Sequence, residues 1–147
     1  MILAAALSAS PVHMECLAKN IYFESRNQSR LGQISVAHVT LNRLVDDRYP
    51  DNVCDVVQQG VKNSDGSMKR HACQFSWYCD GLSDQPRNLE MWDQSLEVAQ
   101  DALDLYNKGI DITSGSTHYH AKNVYPNWAP TLDKVMRVDD HIFYRWD

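Results

Sequence analysis

The stretch Ser10-Pro11-Val12-His13-Met14-Glu15-Cys16-Leu17-Ala18-Lys19-Asn20-Ile21-Tyr22-Phe23-Glu24-Ser25-Arg26 predicts a helix that ends on a carboxylate. Ser10 can cap it, and Pro11 suits the first helical position, where a backbone N–H has no partner anyway. Met14, Leu17, Ala18 and Ile21 then recur at helical spacing. The helix delivers Glu24 at or just past its C-terminal end, directly after Ile21, Tyr22 and Phe23. A carboxylic acid held against apolar walls has its charged form disfavoured, so its pKa rises. That is the condition for a general acid that must hold its proton near neutral pH. Glu24 is therefore the candidate catalytic acid. A glutamate paired with Arg26 or exposed to water is the plainer reading, and spacing alone favours it.

Outward from this helix, Asn27-Gln28-Ser29 reads as a break. A second helix follows over about residues 31–45, with Ile34, His38, Leu41 and Val45 on one stripe. His38 then faces the core, as a hydrogen-bonded residue rather than a ligand. Pro50 biases Tyr49 away from helical geometry and closes this segment. Asp51 or Asn52 can cap a short helix over residues 53–59, stopped by Gly60. Residues 61–70 are polar, with an Asp65-Gly66 turn, and read as a loop beside a groove. Asn88 caps the longest helix, residues 89–108, with Trp92, Leu96, Ala99, Leu103 and Tyr106 as its core stripe and Gly109 as its stop.

Between these helices, Cys73-Gln74-Phe75-Ser76-Trp77-Tyr78-Cys79-Asp80-Gly81 is dense in aromatic and amide groups. A sugar cleft needs both: apolar C–H faces stack on rings, and hydroxyl and acetamido groups hydrogen-bond. For Phe75 and Tyr78 a packing role explains the residues at least as well, and among the stacking candidates it is strongest for Trp77; for Gln74 and Asp80 it is weaker, since a core has little use for them unless they are fully bonded. After the long helix, Thr117-His118-Tyr119-His120 reads as an extended segment with His118 and His120 on one face. Tyr125-Pro126-Asn127-Trp128 is a tight aromatic loop. Residues 134–138 and 141–146, flanking Asp139-Asp140, read as a β-hairpin.

The chain has 147 residues and a net charge of -5. One domain is expected, without repeat or linker. The acidic balance gives no basic face for nucleic acid. No run approaches the ~20 apolar residues of a membrane span. Met1 to Ala9 are apolar without Lys or Arg, an N-terminal arm or signal remnant. Cys16, Cys54, Cys73 and Cys79 allow three pairings. A bridge from Cys54 to Cys73, for example, would close about 20 residues and contribute ~3 kcal/mol. No His-Glu-x-x-His or paired Cys-x-x-Cys supports a metal centre, although His71, His118, His120, Cys73 and Cys79 are ligand types.

The motifs, taken together, resemble the SleB-type cell wall hydrolases, or spore-cortex-lytic enzymes. They are Ile21-Tyr22-Phe23-Glu24-Ser25-Arg26, Gly32-Gln33-Ile34-Ser35-Val36-Ala37-His38-Val39, Leu41-Asn42-Arg43, Gln74-Phe75-Ser76-Trp77, Asp80-Gly81, Thr117-His118-Tyr119-His120, Pro126 with Trp128, and His141-Ile142-Phe143-Tyr144-Arg145. They occur in the family's order from about Cys16 to Arg145. The resemblance implies a mostly helical α+β, lysozyme-like, two-lobed domain with a small C-terminal hairpin, here residues 11–147 after an arm at 1–10. It implies a glycosidase cleaving between N-acetylmuramic acid and N-acetylglucosamine in peptidoglycan, first as a lytic transglycosylase, with Glu24 as acid and base. Tyr22, Gln74, Phe75, Trp77, Asp80, Thr117, His118, Tyr119 and Trp128 are the expected substrate-binding residues. The expected partner is the glycan strand, bound by a monomer without cofactor, nucleic acid or membrane. The expected place is the cell envelope, or the host cytoplasm before release if a phage encodes the chain. Alternatives are a muramidase with Asp80 or Asp111 as second carboxylate, a zinc amidase or peptidase, and a non-catalytic glycan-binding module. Gln28 stands where the family often has a second Glu. Ser25, Asn27, Ile112, Ser114, Ser116 and Asp139 also differ from its usual residues.

Overall fold

The computed structural model describes residues 7–147. Most of the expected N-terminal arm lies outside them. Its described end is docked: Leu7 donates its N–H to Asn107 Oδ1 and accepts from Asn107 Nδ2, each at 2.7 Å.

Helix α1 spans Pro11–Ser25, capped by the Ser10 hydroxyl as expected. Helix α2 spans Arg30–Leu44, with Ser29 as its cap. The sequence suggests one buried stripe on α2, but every residue from Gly32 to Arg43 is buried. The helix runs through the middle of the domain, with α1, the short α3 (Val53–Val57) and α4 (Leu89–Asn107) packed around it. Its small residues permit that approach, and its polar ones bond locally, as when Ser35 Oγ donates to Leu31 O at 2.8 Å. Val45, expected in the stripe, lies beyond the last turn and is 55% exposed. On α4 the core face is Ser95, Val98, Ala99, Ala102 and Leu103. Leu96 falls at its edge, 37% exposed. A helix that packs on two neighbours needs a broad face of small residues there, which displaces the narrow stripe of large ones.

The polar segment read as a loop is a hairpin of β1 (Gly60–Lys62) and β2 (Met68–Cys73). Most of its side chains are exposed, so no apolar alternation marks the strands. Its turn is the expected one: Gly66 has φ +88°, and Asp65 Oδ1 accepts from Ser67 N at 2.9 Å. The second hairpin belongs to a three-stranded antiparallel sheet, β3 (His118–Ala121), β5 (His141–Arg145) and β4 (Asp133–Val138), in that spatial order.

The disulfides are Cys16–Cys54, which ties α3 to α1, and Cys73–Cys79, which ties the end of β2 to the 3-10 turn Ser76–Cys79. The Cys54–Cys73 bridge is not formed.

Polar contacts fasten the sheet to α2. Ser29 N and Oγ both donate to Asp139 Oδ2, at 2.9 and 2.5 Å, placing a carboxylate at the helix N-terminus where the peptide dipoles favour it. Asp139 adopts φ +49° to do so. A side chain at Gly32 would meet that carboxylate, its Cβ only 2.5 Å from Oδ2. Gln28 also serves this junction: Asp140 donates its N–H to Gln28 Oε1 at 3.1 Å.

Candidate active site

Glu24 sits in the last turn of α1, and the alternation along β3 turns Tyr119 toward it. The Tyr119 hydroxyl donates to Glu24 Oε1 at 2.8 Å. Glu24 is crowded by protein yet partly accessible, so it meets solvent from within a depression. That burial raises its pKa; the Tyr119 hydrogen bond and the Arg43 charge pull it down, and burial prevails. Tyr119 is itself pushed well above its ordinary value, by burial and then by Glu24, so its hydroxyl keeps its proton and remains a donor.

The sequence reading does not single out Arg43, yet it is the cation of this site. It is only 4% exposed, near the end of α2. Its Nε donates to Thr117 O at 2.7 Å, the residue before β3. Its guanidinium lies 5.1 Å from the ring centres of both Tyr49 and Phe75. Its Nη1 is buried without a partner among the described residues. Burial lowers its pKa, while Tyr49, Tyr119 and Glu24 raise it. A sequence signal does exist: Val36, Val39 and Arg43 lie on one face of α2 at three- and four-residue steps, and one charge in that buried series invites a question.

The expected binding residues divide. Phe75 is buried between Arg43 and Tyr119, its ring centre 6.4 Å from that of Tyr119. Gln74 is exposed beside it. Trp77 is a core residue: it stacks on Phe23 at 4.8 Å, and its Nε1 donates to Asn20 Oδ1 at 2.9 Å. Tyr22 is also in the core, and its hydroxyl accepts from the backbone N–H of Asn88, the cap of α4, at 3.1 Å. Thr117 is buried, and its hydroxyl bonds His118 Nδ1 at 2.9 Å. His118 and His120 share the other face of β3 from Tyr119. There both pack on Trp128, with ring centres 5.0 and 5.7 Å away. Burial, then the charges of Arg43 and Arg48, lower His118 to about 4. Trp128 and His118 are therefore not gathered with Tyr119 around Glu24.

Both candidate second carboxylates accept hydrogen bonds within their own turns. Asp80 Oδ1 accepts from Leu82 N at 2.9 Å, shaping its own turn. Asp111 accepts from Thr113 N and Oγ1 through Oδ1, and from Asn42 Nδ2 and Gly115 N through Oδ2. Burial pushes Asp111 up, but these bonds outweigh it and hold its pKa low. The groups that bear on Glu24, Tyr119 and Arg43, include no carboxylate. Among the described residues, no group of three or more His, Cys, Asp or Glu is gathered as a metal site. Cys73 and Cys79 are bonded to each other, so neither can act as a thiolate ligand.

His38 lies at the scaffold's centre, as the sequence suggests. Its Nδ1 accepts from Ile112 N at 3.1 Å, which leaves the proton on Nε2 to donate to Ala102 O at 2.9 Å.

The family model described as Cell Wall Hydrolase matches residues 27–144, a span that begins just after Glu24. A spore cortex-lytic enzyme of Halalkalibacterium halodurans is 28% identical over 132 residues, covering 88% of this chain and 34% of that protein. The chain thus spans about a third of the length of this curated relative. The fold is similar to the catalytic domain of the germination-specific lytic transglycosylase SleB from Bacillus anthracis, with a TM-score of 0.73 at 23% identity, covering 96% of this chain and 100% of that one. The catalytic domain of the Bacillus cereus SleB protein matches at a TM-score of 0.68 and 22% identity, covering 96% and 95%. These likenesses agree with the α+β, mostly helical class expected from sequence.

Proposed function

The chain belongs to the cell wall hydrolase family, and from that premise we propose that it is a peptidoglycan lytic transglycosylase with Glu24 as acid and base. The observation that carries this reading is a solitary carboxylate, raised in pKa by burial and bonded by Tyr119. A hydrolase of the ordinary kind needs two carboxyl groups, ~5–5.5 Å apart if retaining and ~6.5–9.5 Å if inverting. Asp80 and Asp111 are committed to their own loops, which speaks against the muramidase reading. One of the similar proteins, SleB of Bacillus anthracis, is described as a lytic transglycosylase, which favours the same chemistry.

In the proposed reaction, protonated Glu24 donates to the oxygen linking N-acetylmuramic acid to N-acetylglucosamine. That bond breaks through a transition state resembling an oxocarbenium ion. Glu24 is now a carboxylate, and the Tyr119 hydroxyl and the Arg43 charge both favour that form. It then takes the proton of the muramic C6 hydroxyl as that oxygen bonds to C1. The product is a 1,6-anhydro end, and Glu24 regains its proton without consuming water. Gln74 and Tyr119 are the proposed sugar-positioning residues, while Phe75 and Trp77 hold the frame. The site of action is the cell envelope.

The test is mass spectrometry of muropeptides released from purified peptidoglycan. Non-reducing products one water lighter than muramidase products support the proposal. Reducing muramic ends would redirect it to hydrolysis. Free stem peptides with intact glycan would overturn it.

A further inference from the structure

The two disulfides sit in unlike places. Cys16–Cys54 joins α1 to α3, inside the helical scaffold. Cys73–Cys79, with a sequence separation of 6, closes around Gln74, Phe75, Ser76, Trp77 and Tyr78. Two of these residues reach the two sides of the candidate active site. Phe75 faces the sheet: its ring centre lies 6.4 Å from that of Tyr119 and 5.1 Å from the Arg43 guanidinium. Trp77 faces α1: it stacks at 4.8 Å on Phe23, the residue before Glu24, and its Nε1 donates to Asn20 Oδ1 at 2.9 Å. One short loop therefore spans from the turn that carries Glu24 to the strand that carries Tyr119.

The loop is fixed unequally at its ends. Cys73 ends β2 and pairs with Gly60 of β1, and Gln74 donates its N–H to Gln59 O at 2.9 Å. After Cys79 the chain enters residues 80–88, which form neither helix nor strand. There Arg70 Nη2 reaches Asp80 O at 3.4 Å, an exposed contact. The bridge is thus the firm attachment of the loop's far end. Breaking it frees that end yet costs the fold little, since the entropy released on opening a closed loop grows with its length. Cys73 is half-buried beside the exposed Gln74, within reach of a small dithiol in solution.

We propose that the Cys73–Cys79 bridge is a redox switch on the site: closed, it positions Glu24 against Tyr119, and opened, it lets the two part while the scaffold stays folded. This rests on the reading of Glu24 as the acid given above. The step is thiol–disulfide exchange. A dithiol reductant attacks one bridge sulfur as its thiolate and forms a mixed disulfide, from which its second thiol releases the protein. Two electrons and two protons pass to the protein, which gains two thiols as the reductant becomes a cyclic disulfide. The redox state of the surroundings thus sets the activity. Oxidising conditions hold the enzyme on, and reducing conditions hold it off.

The experiment measures kcat/KM on purified peptidoglycan with and without dithiothreitol, with free thiols counted by mass after alkylation. Replacing Cys16 and Cys54 by Ser leaves one bridge. That variant, assayed well below its melting temperature, should match the oxidised wild type. On reduction it should lose about 10-fold or more, the scale of a small misplacement at a reacting centre, and reoxidation should restore it. Replacing Cys73 and Cys79 by Ser should give a protein that is folded by circular dichroism, fixed at the low rate and indifferent to dithiothreitol. Its residual activity should have an alkaline limb at higher pH than the wild type, because Tyr119 and Arg43 no longer hold down the raised pKa of Glu24. The bridge that contributes less to stability would then control the activity. Wild-type rates in Cys73→Ser/Cys79→Ser overturn the switch. So does loss of that variant's helical signal, which would make the bridge part of the scaffold, or a lowered rate with an unmoved limb. A Cys16→Ser/Cys54→Ser variant whose rate survives reduction overturns it too. Absence of release by the oxidised wild type overturns the parent reading instead, and is seen before any reductant is added.

Discussion

Tyr119→Phe isolates the hydrogen bond on which the site turns. The phenol ring is held by Phe75, His141 and Phe143, with ring centres 6.4, 5.0 and 5.6 Å away, so a phenyl ring should keep its place. What is lost is one O–H donated to Glu24 Oε1 at 2.8 Å. A hydrogen bond to a charged group contributes about 1.5–3 kcal/mol, and most of that acts on the carboxylate. The ratio of ionised to neutral Glu24 at fixed pH should fall by about 10- to 100-fold. The sign follows: the bond lowers the pKa of Glu24, so removing it raises that pKa further. In the proposed reaction Glu24 starts protonated, so the alkaline limb of the pH–activity profile should move to higher pH. The rate at the optimum should fall by about 10- to 100-fold as the second proton transfer loses its support. Initial rates of peptidoglycan clearing from pH 4 to 9 measure both. A lower rate with an unmoved alkaline limb would show that Tyr119 acts on substrate and not on Glu24. An unchanged rate and profile would refute its place in the site.

Glu24→Gln should abolish turnover and stabilise the fold at pH 8, because burial makes the ionised acid costly in the native state. That gain should vanish toward pH 4, as the wild-type acid takes its proton below its raised native pKa; unfolding curves at both pH values test the sign. His38→Ala should cost about 3 kcal/mol in urea unfolding, since it leaves Ala102 O and Ile112 N without partners in the interior. The lowered pKa values of His38, His118 and His141 mean that the unfolded chain takes protons first below about pH 6.5. Wild-type stability should therefore fall as the pH drops from there, and the His38→Ala variant should fall less steeply. Replacing Cys16 and Cys54 by Ser opens a bridge across 38 residues of sequence, worth about 4 kcal/mol by chain entropy. The same change at Cys73 and Cys79, separated by 6 residues, should cost about 2 kcal/mol. Equal losses for the two pairs would count against chain entropy as the source.

Local chemistry was the legible part of the sequence. Ser10, Asn52 and Asn88 each cap a helix, and Gly66, Gly81 and Gly109 take the left-handed turns that their flanking residues suggest; Ser29, read only as part of a break, caps α2 as well. Period two along β3 correctly placed His118 and His120 together, and with that it sent Tyr119 the opposite way. What stayed hidden depends on the third dimension. A stripe says that one face is buried, not that the other is buried too, so α2 looked like a surface helix. The strands of the first hairpin expose most of their side chains and left no pattern. Arg43 shows in the sequence only as one charge in an apolar series, and its role in the site emerges once α2 is central, where its charge meets Glu24 and Thr117. Among the aromatic residues of 73–81, Trp77 admits both sugar stacking and packing from sequence, and its bond to Asn20 Oδ1 places it in the core.

The way the sheet is fastened has a consequence for how the protein would fail. Glu24 belongs to the helical part and Tyr119 to the sheet, and besides the packing of Tyr119 on Phe75 the two are joined near α2 by polar contacts: Arg43 to Thr117, Asn42 to Ser116, and Ser29 to Asp139. Such a junction can open as a unit at lower free energy than the apolar helical interior. Each opening parts the acid from its hydrogen-bond donor. Loss of activity on warming would then precede loss of helix, and backbone amides in β3 and β5 would exchange with solvent before those in α2. Catalysis, on this view, is a sensor of whether two halves of a small domain are still in register, and heat would silence it while most of the fold is intact.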